Sequence, residues 1–244
     1  MSGTTLMMLG TFSTGEPQVV GNLFTWGNAA HGRTGRSTTN YNSSPIQVGS
    51  ATWRRMGGGP MGNITANGIS SDGNLFSWGF GLSGLIGDGQ RLSRSSPVQI
   101  GSITNWLEST AGSYNGLAIR DDGRLYLWGS NNYGQGNWTK GQGRSSPVQI
   151  ATENWASAGM GRNSVIAVTT GGQLWTWGSN EGGMLGQNIR SSELAGRSSP
   201  VQVGTRTDWL RGLMGEGASI AIRTDGYIFT WGSNNQGQLG TNTG

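Results

Sequence analysis

The sequence repeats one short motif, a Trp-Gly pair, five times at nearly equal spacing. Successive tryptophans of these pairs are 52, 50, 49 and 54 residues apart: Trp26, Trp78, Trp128, Trp177 and Trp231. Self-similarity at a period near 50 residues indicates a repeat architecture, in which each copy is one unit that buries its apolar face against its neighbours. The chain is therefore predicted to be a single repeat domain over 1–244, with copies at about 4–52, 53–105, 106–154, 155–208 and 209–244.

Each copy contains short segments that are typical of β-strands. In the third copy, LAIR (117–120) is apolar and RLYLW (124–128) is aromatic and alternates between two faces. Asp122-Gly123 separates them and predicts a two-residue hairpin in which both residues have positive φ. SSPVQI (145–150) supplies a further short strand, with its proline near the start, where a missing N–H costs least. About four strands per copy and no helical periodicity predict an all-β fold, a β-propeller of about five four-stranded blades.

The tryptophan rings and the two end copies bear on how such blades assemble. Each Trp of a Trp-Gly pair is predicted to pack between neighbouring blades. The first copy has Thr4 where other copies open with Trp, and it carries Pro17, whereas the fifth copy lacks the SSPVQI segment. The sequence leaves two possibilities open: TTLMML (4–9) completes the last blade, or the ring stays incomplete and another chain covers its edge.

Residues that could support catalysis or metal binding are scarce. The chain has no cysteine and a single histidine, His31, so a His/Cys metal site or a His-based nucleophile cannot be assembled within it. The acidic residues are mostly isolated, and Asp122 of the pair Asp121-Asp122 belongs to a hairpin turn. GFGLSG (79–84) matches the pattern G-x-G-x-x-G, but no helix is predicted after it. The chain is predicted not to be an enzyme and to need no cofactor.

Charge and hydropathy restrict the partners and the compartment. The net charge is +4, and the sixteen basic residues are spread over the copies rather than clustered, which makes nucleic acid an unlikely partner. No apolar stretch reaches the roughly 18 residues of a membrane helix, and the N-terminus lacks the pattern of a signal peptide. A soluble protein is predicted, and beyond that charge and hydropathy leave its compartment open, the cytoplasm included.

The candidate binding residues lie on one connection of each copy, between the Trp-Gly pair and the SSP segment. An arginine recurs just before SSP, where it either caps its own blade or contributes to a basic arc facing an acidic partner. The same connections carry the departures from the repeat, which are either solvated loop variation or a recognition surface. Because they share one face, this face is the candidate for protein binding: Phe80, Leu82, Arg94, Tyr133, Trp138, Lys140, Arg144, Arg190 and Arg197.

Several segments carry a family resemblance. DGRLYLWGSNNYGQ (122–135), DGYIFTWGSNNQGQLG (225–240) and RSSPVQIG resemble the repeats of the regulator of chromosome condensation family, whose members form β-propellers. The resemblance covers about 4–244, and the RSSPVQIG wording is more similar to bacterial and tailed-phage members. Family propellers usually have seven blades, and this chain has about five repeats. The resemblance implies a non-catalytic binding or assembly module, such as a phage virion or tail-associated component that self-associates through an unclosed blade edge.

Other functions within or near the family remain as alternatives. One is a regulatory protein-binding propeller, acting like the family's guanine-nucleotide exchange factor or like a related β-lactamase inhibitor. Exchange activity in the family depends on an acidic, histidine-bearing face, and this sequence has few acidic residues and one histidine. A photoreceptor resembling the plant ultraviolet-B protein is suggested by the eleven tryptophans, but its clustered signature is absent, the nearest segment being TWRRM (52–56).

Overall fold

The protein is almost entirely β-structure. The computed structural model describes residues 20–57, 65–136, 138–189 and 191–241. The strands in these ranges are, in chain order, β1 Gly21–Gly27, β2 Asn42–Gly57, β3 Thr65–Ser70, β4 Leu75–Gly79, β5 Arg94–Gln99, β6 Trp106–Ala111, β7 Asn115–Arg120, β8 Leu125–Gly129, β9 Arg144–Ile150, β10 Trp155–Met160, β11 Ser164–Thr169, β12 Leu174–Ser179, β13 Gly196–Gln202, β14 Trp209–Met214, β15 Ala218–Arg223 and β16 Ile228–Gly232. Within the same ranges, helical structure is limited to three 3₁₀ turns, and none of it has the length and apolarity needed to cross a membrane.

The strands form antiparallel sheets that are the blades of a propeller, numbered here by their Trp-Gly pairs. Blades 3 and 4 are four-stranded, in the orders β6-β7-β8-β9 and β10-β11-β12-β13, and blade 5 has three strands, β14-β15-β16. A five-stranded sheet, β1-β2-β3-β4-β5, holds blades 1 and 2, because the long strand β2 pairs with β1 between residues 42 and 53 and with β3 over residues 53–57. The predicted all-β propeller is confirmed. Over the described ranges the blades do not close into a ring; TTLMML (4–9) and Pro17 lie outside these ranges.

The tryptophans of the second to fifth Trp-Gly pairs join neighbouring blades, as the sequence predicted. The Trp128 ring is fully buried, and its indole N–H donates to the carbonyl oxygen of Leu85 in the preceding blade at 2.9 Å. Trp231 makes the same hydrogen bond to Met184 at 2.8 Å. A ring that buries roughly 150–250 Å² contributes about 4–6 kcal/mol of hydrophobic free energy, so these rings are major elements of the core between blades.

A second tryptophan opens the inner strand of blades 2 to 5. Trp106 packs edge-on against Tyr126 of its own blade, with ring centroids 5.2 Å apart, and Trp209 packs the same way against Phe229. The backbone N–H of Trp209 donates to the carbonyl oxygen of Gly172, in a hairpin turn of the preceding blade, at 3.0 Å. The opening residue of each inner strand therefore contributes to its own blade and to the junction with the blade before it.

The Asp-Gly turns differ from the predicted two-residue hairpin. Gly73 N–H donates to Ser70 O at 3.0 Å, and Ser70 N–H donates to Asn74 O at 2.9 Å. Only Gly73 has positive φ, at 80°, and Asp72 keeps negative φ. This is the three-residue hairpin in which a type I turn is followed by a glycine in a bulge. The glycine is also required by the next blade, since a Cβ at Gly73 would overlap the carbonyl oxygen of Thr104.

The inner strands of blades 2 to 5 face a common axis, where one carboxylate links them. Glu108 on β6 has a side chain only 5% exposed and forms an ion pair with Arg211 on β14. Its carboxylate also lies 3.7 Å from Arg55 on β2 and accepts a hydrogen bond from the backbone N–H of Ala158 on β10 at 3.4 Å. Four blades therefore meet at Glu108, which the sequence had presented as one of several isolated acids.

Candidate protein-binding surface

The connections that carry the predicted binding residues lie at one end of the blades. These connections, 80–93, 130–143 and 180–195, join the third and fourth strands, and each begins beside the hairpin of its own inner strands. Ser130 N–H donates to Tyr114 O at 2.9 Å, and Ser179 N–H donates to Asn163 O at 3.0 Å. We call the surface formed by these connections and hairpins the loop face. The turns between the second and third strands of each blade, such as 71–74 and 121–124, form the opposite end, which we call the turn face.

Each long connection on the loop face reaches the following blade. Gly84 of blade 2 lies against the start of the outer strand of blade 3, so closely that a Cβ would be 2.6 Å from the Ser145 Cα atom. Gly89 N–H donates to Ser145 O at 2.7 Å. Gly134 of blade 3 lies in the same way against Ser198 of blade 4. A loop and the arginine-serine segment of the next blade therefore form one continuous surface.

This packing brings four of the predicted residues together in two pairs. Leu82, 57% exposed, lies two residues before Gly84, and exposed Arg144 directly precedes Ser145. Tyr133, 45% exposed, directly precedes a loop glycine that packs on blade 4 beside Arg197. An apolar or aromatic residue therefore adjoins an arginine at two consecutive blade junctions. Aromatic residues and arginine are enriched where protein surfaces meet.

Arg94 and Phe80 have partners within the protein. The Arg94 guanidinium forms an ion pair with Asp88 of its own blade, at 2.5 Å, and the Asp88 side chain is only 5% exposed. The charge of Arg94 is therefore balanced, and a uniform basic arc is not formed. Phe80 packs edge-on against His31 of blade 1, with ring centroids 4.9 Å apart. His31 thus takes part in a blade contact.

The insertion in the third copy folds over its own loop. The Trp138 ring lies over Gly136 and is partly buried against the core of the blades, and its indole N–H donates to Gln142 O at 2.6 Å. Lys140 is exposed beside it. Trp138 therefore shapes the loop as well as its surface. Arg190, predicted on the fourth connection, lies outside the described residues.

Buried amide side chains hold the third loop in place. Asn131 donates to Trp138 O at 2.8 Å and accepts a hydrogen bond from Gly136 N–H at 2.7 Å. Gln135 donates to the Asn115 side chain at 3.2 Å. These contacts fix the loop before any partner arrives, which reduces the entropy lost on binding.

Tyr114 belongs to the loop face although it was not among the predicted residues. It is 41% exposed, and its hydroxyl raises the pKa of Arg162, on the next blade, through a hydrogen bond. The equivalent residues of the next two copies are Asn163 and Gly217. Tyr114 therefore differs from its equivalents in other copies, as Tyr133 does. Searching the inner hairpins for such differences, as was done for the long connections, would have identified Tyr114 from the sequence.

The turn face carries paired charges instead. Asp208 accepts hydrogen bonds from Arg206 and, at 2.9 Å, from Arg223. The Arg206 guanidinium, assisted by Arg223, lowers the pKa of Asp208 from 3.8 to about 2. Across the described part of the chain, no three side chains among His, Cys, Asp and Glu lie close enough to hold a metal ion.

Comparisons with known proteins agree with this architecture. A model of the regulator of chromosome condensation (RCC1) repeat matches residues 72–119, and a second model of that repeat matches residues 110–135 and 214–238. Similar solved structures include human WBSCR16 (TM-score 0.71, 18% identity, over 86% of this chain and 56% of that chain) and Prp20p from Saccharomyces cerevisiae (TM-score 0.74, 18% identity, 93% and 56%). Yeast RCC1 (Prp20) bound to Kap60 gives a TM-score of 0.74 at 18% identity, over 88% and 52% of the two chains.

The fold and the repeats together define the class of protein. The blades are those of a β-propeller, and the segments 72–135 and 214–238 match models of the RCC1 repeat. The chain spans slightly more than half the length of each of these structural relatives.

Proposed function

We propose that the chain is a non-catalytic, protein-binding propeller module of the regulatory type, and that its loop face contacts the partner. The observation that carries this proposal is the repetition of one arrangement at consecutive blade junctions. Exposed Leu82 adjoins Arg144, and exposed Tyr133 adjoins Arg197. Tyrosine and arginine are enriched among the few residues that supply most of the binding energy at many protein interfaces.

Two further observations support binding at this face. The buried amides of Asn131 and Gln135 hold the third loop in a fixed conformation, so little ordering is needed when a partner binds. Structural relatives with the same fold bind proteins, since yeast RCC1 (Prp20) was solved with Kap60 and Prp20p has binding properties towards Gsp1p and histones. For this chain we propose the class of partner, a protein, and not those particular partners.

The narrower roles rest on the sequence alone. The phage virion or tail-associated role depends on the wording of the RSSPVQIG segment, and it stays a prediction. Nucleotide-exchange and inhibitor roles are forms of the same protein-binding function, and the loop-face proposal is compatible with each. The loop-face proposal does not depend on which of them holds.

The proposal is tested by affinity capture with matched variants of the full chain. The immobilised chain is exposed to extract from its source cells after nuclease treatment. The loop-face variant Leu82→Ser/Tyr133→Ser/Arg144→Ser is compared with the turn-face variant Arg124→Ser/Tyr227→Ser, whose residues are also exposed. We expect a protein captured by the wild type to be reduced about tenfold or more by the loop-face variant and retained by the turn-face variant. Equal capture by both variants contradicts the proposal.

A further inference from the structure

Blade 5 presents an open strand edge where the other blades have a fourth strand. In blades 2, 3 and 4 the outer strand contains the same sequence, R-S-S-P-V-Q, in β5, β9 and β13. Each of these strands pairs with the third strand of its blade, as β13 does with β12. In blade 5 the third strand is β16, and its outer edge has no strand beside it in the described residues.

A groove of about 1000 Å³ lies along this edge. The aromatic side chains of Trp209, Phe229 and Trp231 line it on blade 5, and Gly183 and Asn188 line it on the connection of blade 4. All the described residues that line the groove are uncharged. The groove is therefore suited to a neutral, extended segment held by backbone hydrogen bonds and apolar contacts.

The connection of blade 4 that lines the groove has the same conformation as its equivalents in blades 2 and 3. Each of those equivalents packs against the outer strand of the next blade. Gly183 has φ of 81°, and its counterparts Gly84 and Gly134 have φ of 79° and 80°. A Cβ on either counterpart would lie within 3 Å of a serine of the next outer strand, whereas a Cβ on Gly183 would meet nothing within 4 Å. The empty volume beside Gly183 is thus the volume that a serine fills in the other blades.

Repeat symmetry also defines the hydrogen bonds that an added strand would form. Gly89 N–H in blade 2 donates to the first serine of the neighbouring outer strand, at Ser145 O, and Asn188 is the equivalent residue of the groove. In blade 4, Thr176 lies opposite Val201 and Gly178 lies opposite Arg197. The same register places valine of an added strand opposite residue 230 and arginine opposite residue 232.

We propose that this groove is a second protein-binding site, separate from the loop face, which takes an extended segment of a partner protein by strand addition to β16. The segment has the chemistry of R-S-S-P-V-Q. Its first serine must be small because it lies on Gly183, and its proline is tolerated because the far side of an outer strand faces solvent. An aliphatic residue lies opposite Thr230. Backbone pairing supplies the affinity, and the side-chain positions supply the specificity.

The test uses the full chain and a fluorescent peptide with the sequence of residues 196–204, GRSSPVQVG. Fluorescence anisotropy is expected to show saturable binding of one peptide per chain. Because the lining residues that the structure describes are uncharged, the affinity is expected to change less than about threefold between low and high salt. The loop-face variant Leu82→Ser/Tyr133→Ser/Arg144→Ser is expected to bind the peptide as the wild type does, which separates this site from the proposed function.

Two controls locate the peptide in the groove. Replacing the first serine of the peptide by tryptophan is expected to weaken binding about tenfold or more, and this change leaves the folding of the protein unaffected. Gly183→Ala is expected to weaken binding to a similar extent. Gly237→Ala is the matched control, because Gly237 is the equivalent loop residue of blade 5, has φ of 74° and open space around it, and is not among the residues that line the groove.

Several results overturn the proposal. One is the absence of saturable binding, and another is an equal effect of Gly183→Ala and Gly237→Ala. A chain that sediments as a dimer and does not bind the peptide assigns the groove to a second copy. A monomer that does not bind the peptide, with the amides of β16 protected from hydrogen exchange, assigns the groove to another part of the same chain.

Discussion

Glu108 is the residue whose contacts extend furthest through the fold. It lies at the axis, where its carboxylate pairs with Arg211 and Arg55 from blades 5 and 2. Glu108→Gln removes the negative charge between these arginines, and we expect it to lower the free energy of unfolding by about 1.5–3 kcal/mol. Urea denaturation measures this change, with Glu193→Gln, an exposed glutamate, as the control.

A double-mutant cycle tests the same contact directly. If Glu108 acts mainly through Arg211, then Glu108→Gln and Arg211→Met, combined, will cost less than the sum of the two single changes, by about 1 kcal/mol or more. Strict additivity of the two changes is the result that contradicts a linkage between blades 3 and 5.

Asp208 gives the turn face a pH-dependent contribution to stability. Its pKa in the folded protein is lowered to about 2 by Arg206 and Arg223, and its ordinary value is 3.8. A lowered folded-state pKa stabilises the protein above the ordinary pKa, and this contribution is lost as the pH falls towards the folded value. We therefore expect the wild type to be more stable than Asp208→Asn at pH 6, with the difference disappearing between about pH 4 and pH 2. Urea denaturation across this range measures the difference; a gap that persists near pH 2 contradicts the assignment.

At the scale of elements, two hairpin turns of the same conformation differ in whether the next blade packs against their glycine. Gly172 and Gly226 occupy the same position in blades 4 and 5, with φ of 77° and 87°. Alanine at either position incurs the cost of positive φ, about 1–2 kcal/mol. At Gly172 the added Cβ also overlaps the Thr207 carbonyl oxygen, whereas at Gly226 it meets nothing. We expect Gly172→Ala to reduce the free energy of unfolding by at least about 1 kcal/mol more than Gly226→Ala.

Thermal or urea denaturation measures the loss of unfolding free energy in each variant. Because the cost of positive φ is common to both, the difference between the two losses reports the contact with the next blade. Equal destabilisation would show that the turn glycines serve only local geometry. A larger effect at Gly172 would show that the junction between blades depends on this glycine.

Strands and turns could be predicted from the sequence where local residue patterns determine them. Alternation and branched residues predicted strands such as 117–120, and the period of the Trp-Gly pairs predicted the blades. The turn type was wrong because Asp-Gly is compatible with two hairpins. The bulged form occurs at Gly73, which packs on Thr104 of the next blade, and also at Gly226, which has no such contact. Asp-Gly therefore indicates a turn and does not specify which hairpin forms.

At the scale of the whole molecule, the sequence predicted a propeller and left open whether residues 4–9 complete its last blade. It did not predict which residues meet across the axis, because Glu108 and Arg211 are 103 positions apart and only Glu108 is acidic among the residues at this position of blades 2 to 5. The loop face was predicted as a surface, but the pairing of Leu82 with Arg144 depends on contact between blades. The repetition therefore predicts the strands and turns that all blades share, whereas the contacts particular to one blade junction follow from the three-dimensional structure.

The central claim is that blade 5 has a third strand with an open edge, and hydrogen exchange of the unliganded full chain tests it most directly. In blade 4, the backbone amides of the alternate residues Thr176 and Gly178 face β13. Residues 230 and 232 are their equivalents on β16. We predict that the amides of Thr230 and Gly232 exchange much faster than those of Thr176 and Gly178, because no strand in the described part of the chain covers them. Equal protection of the two pairs would contradict the account, since it would mean that a strand already occupies the edge of blade 5.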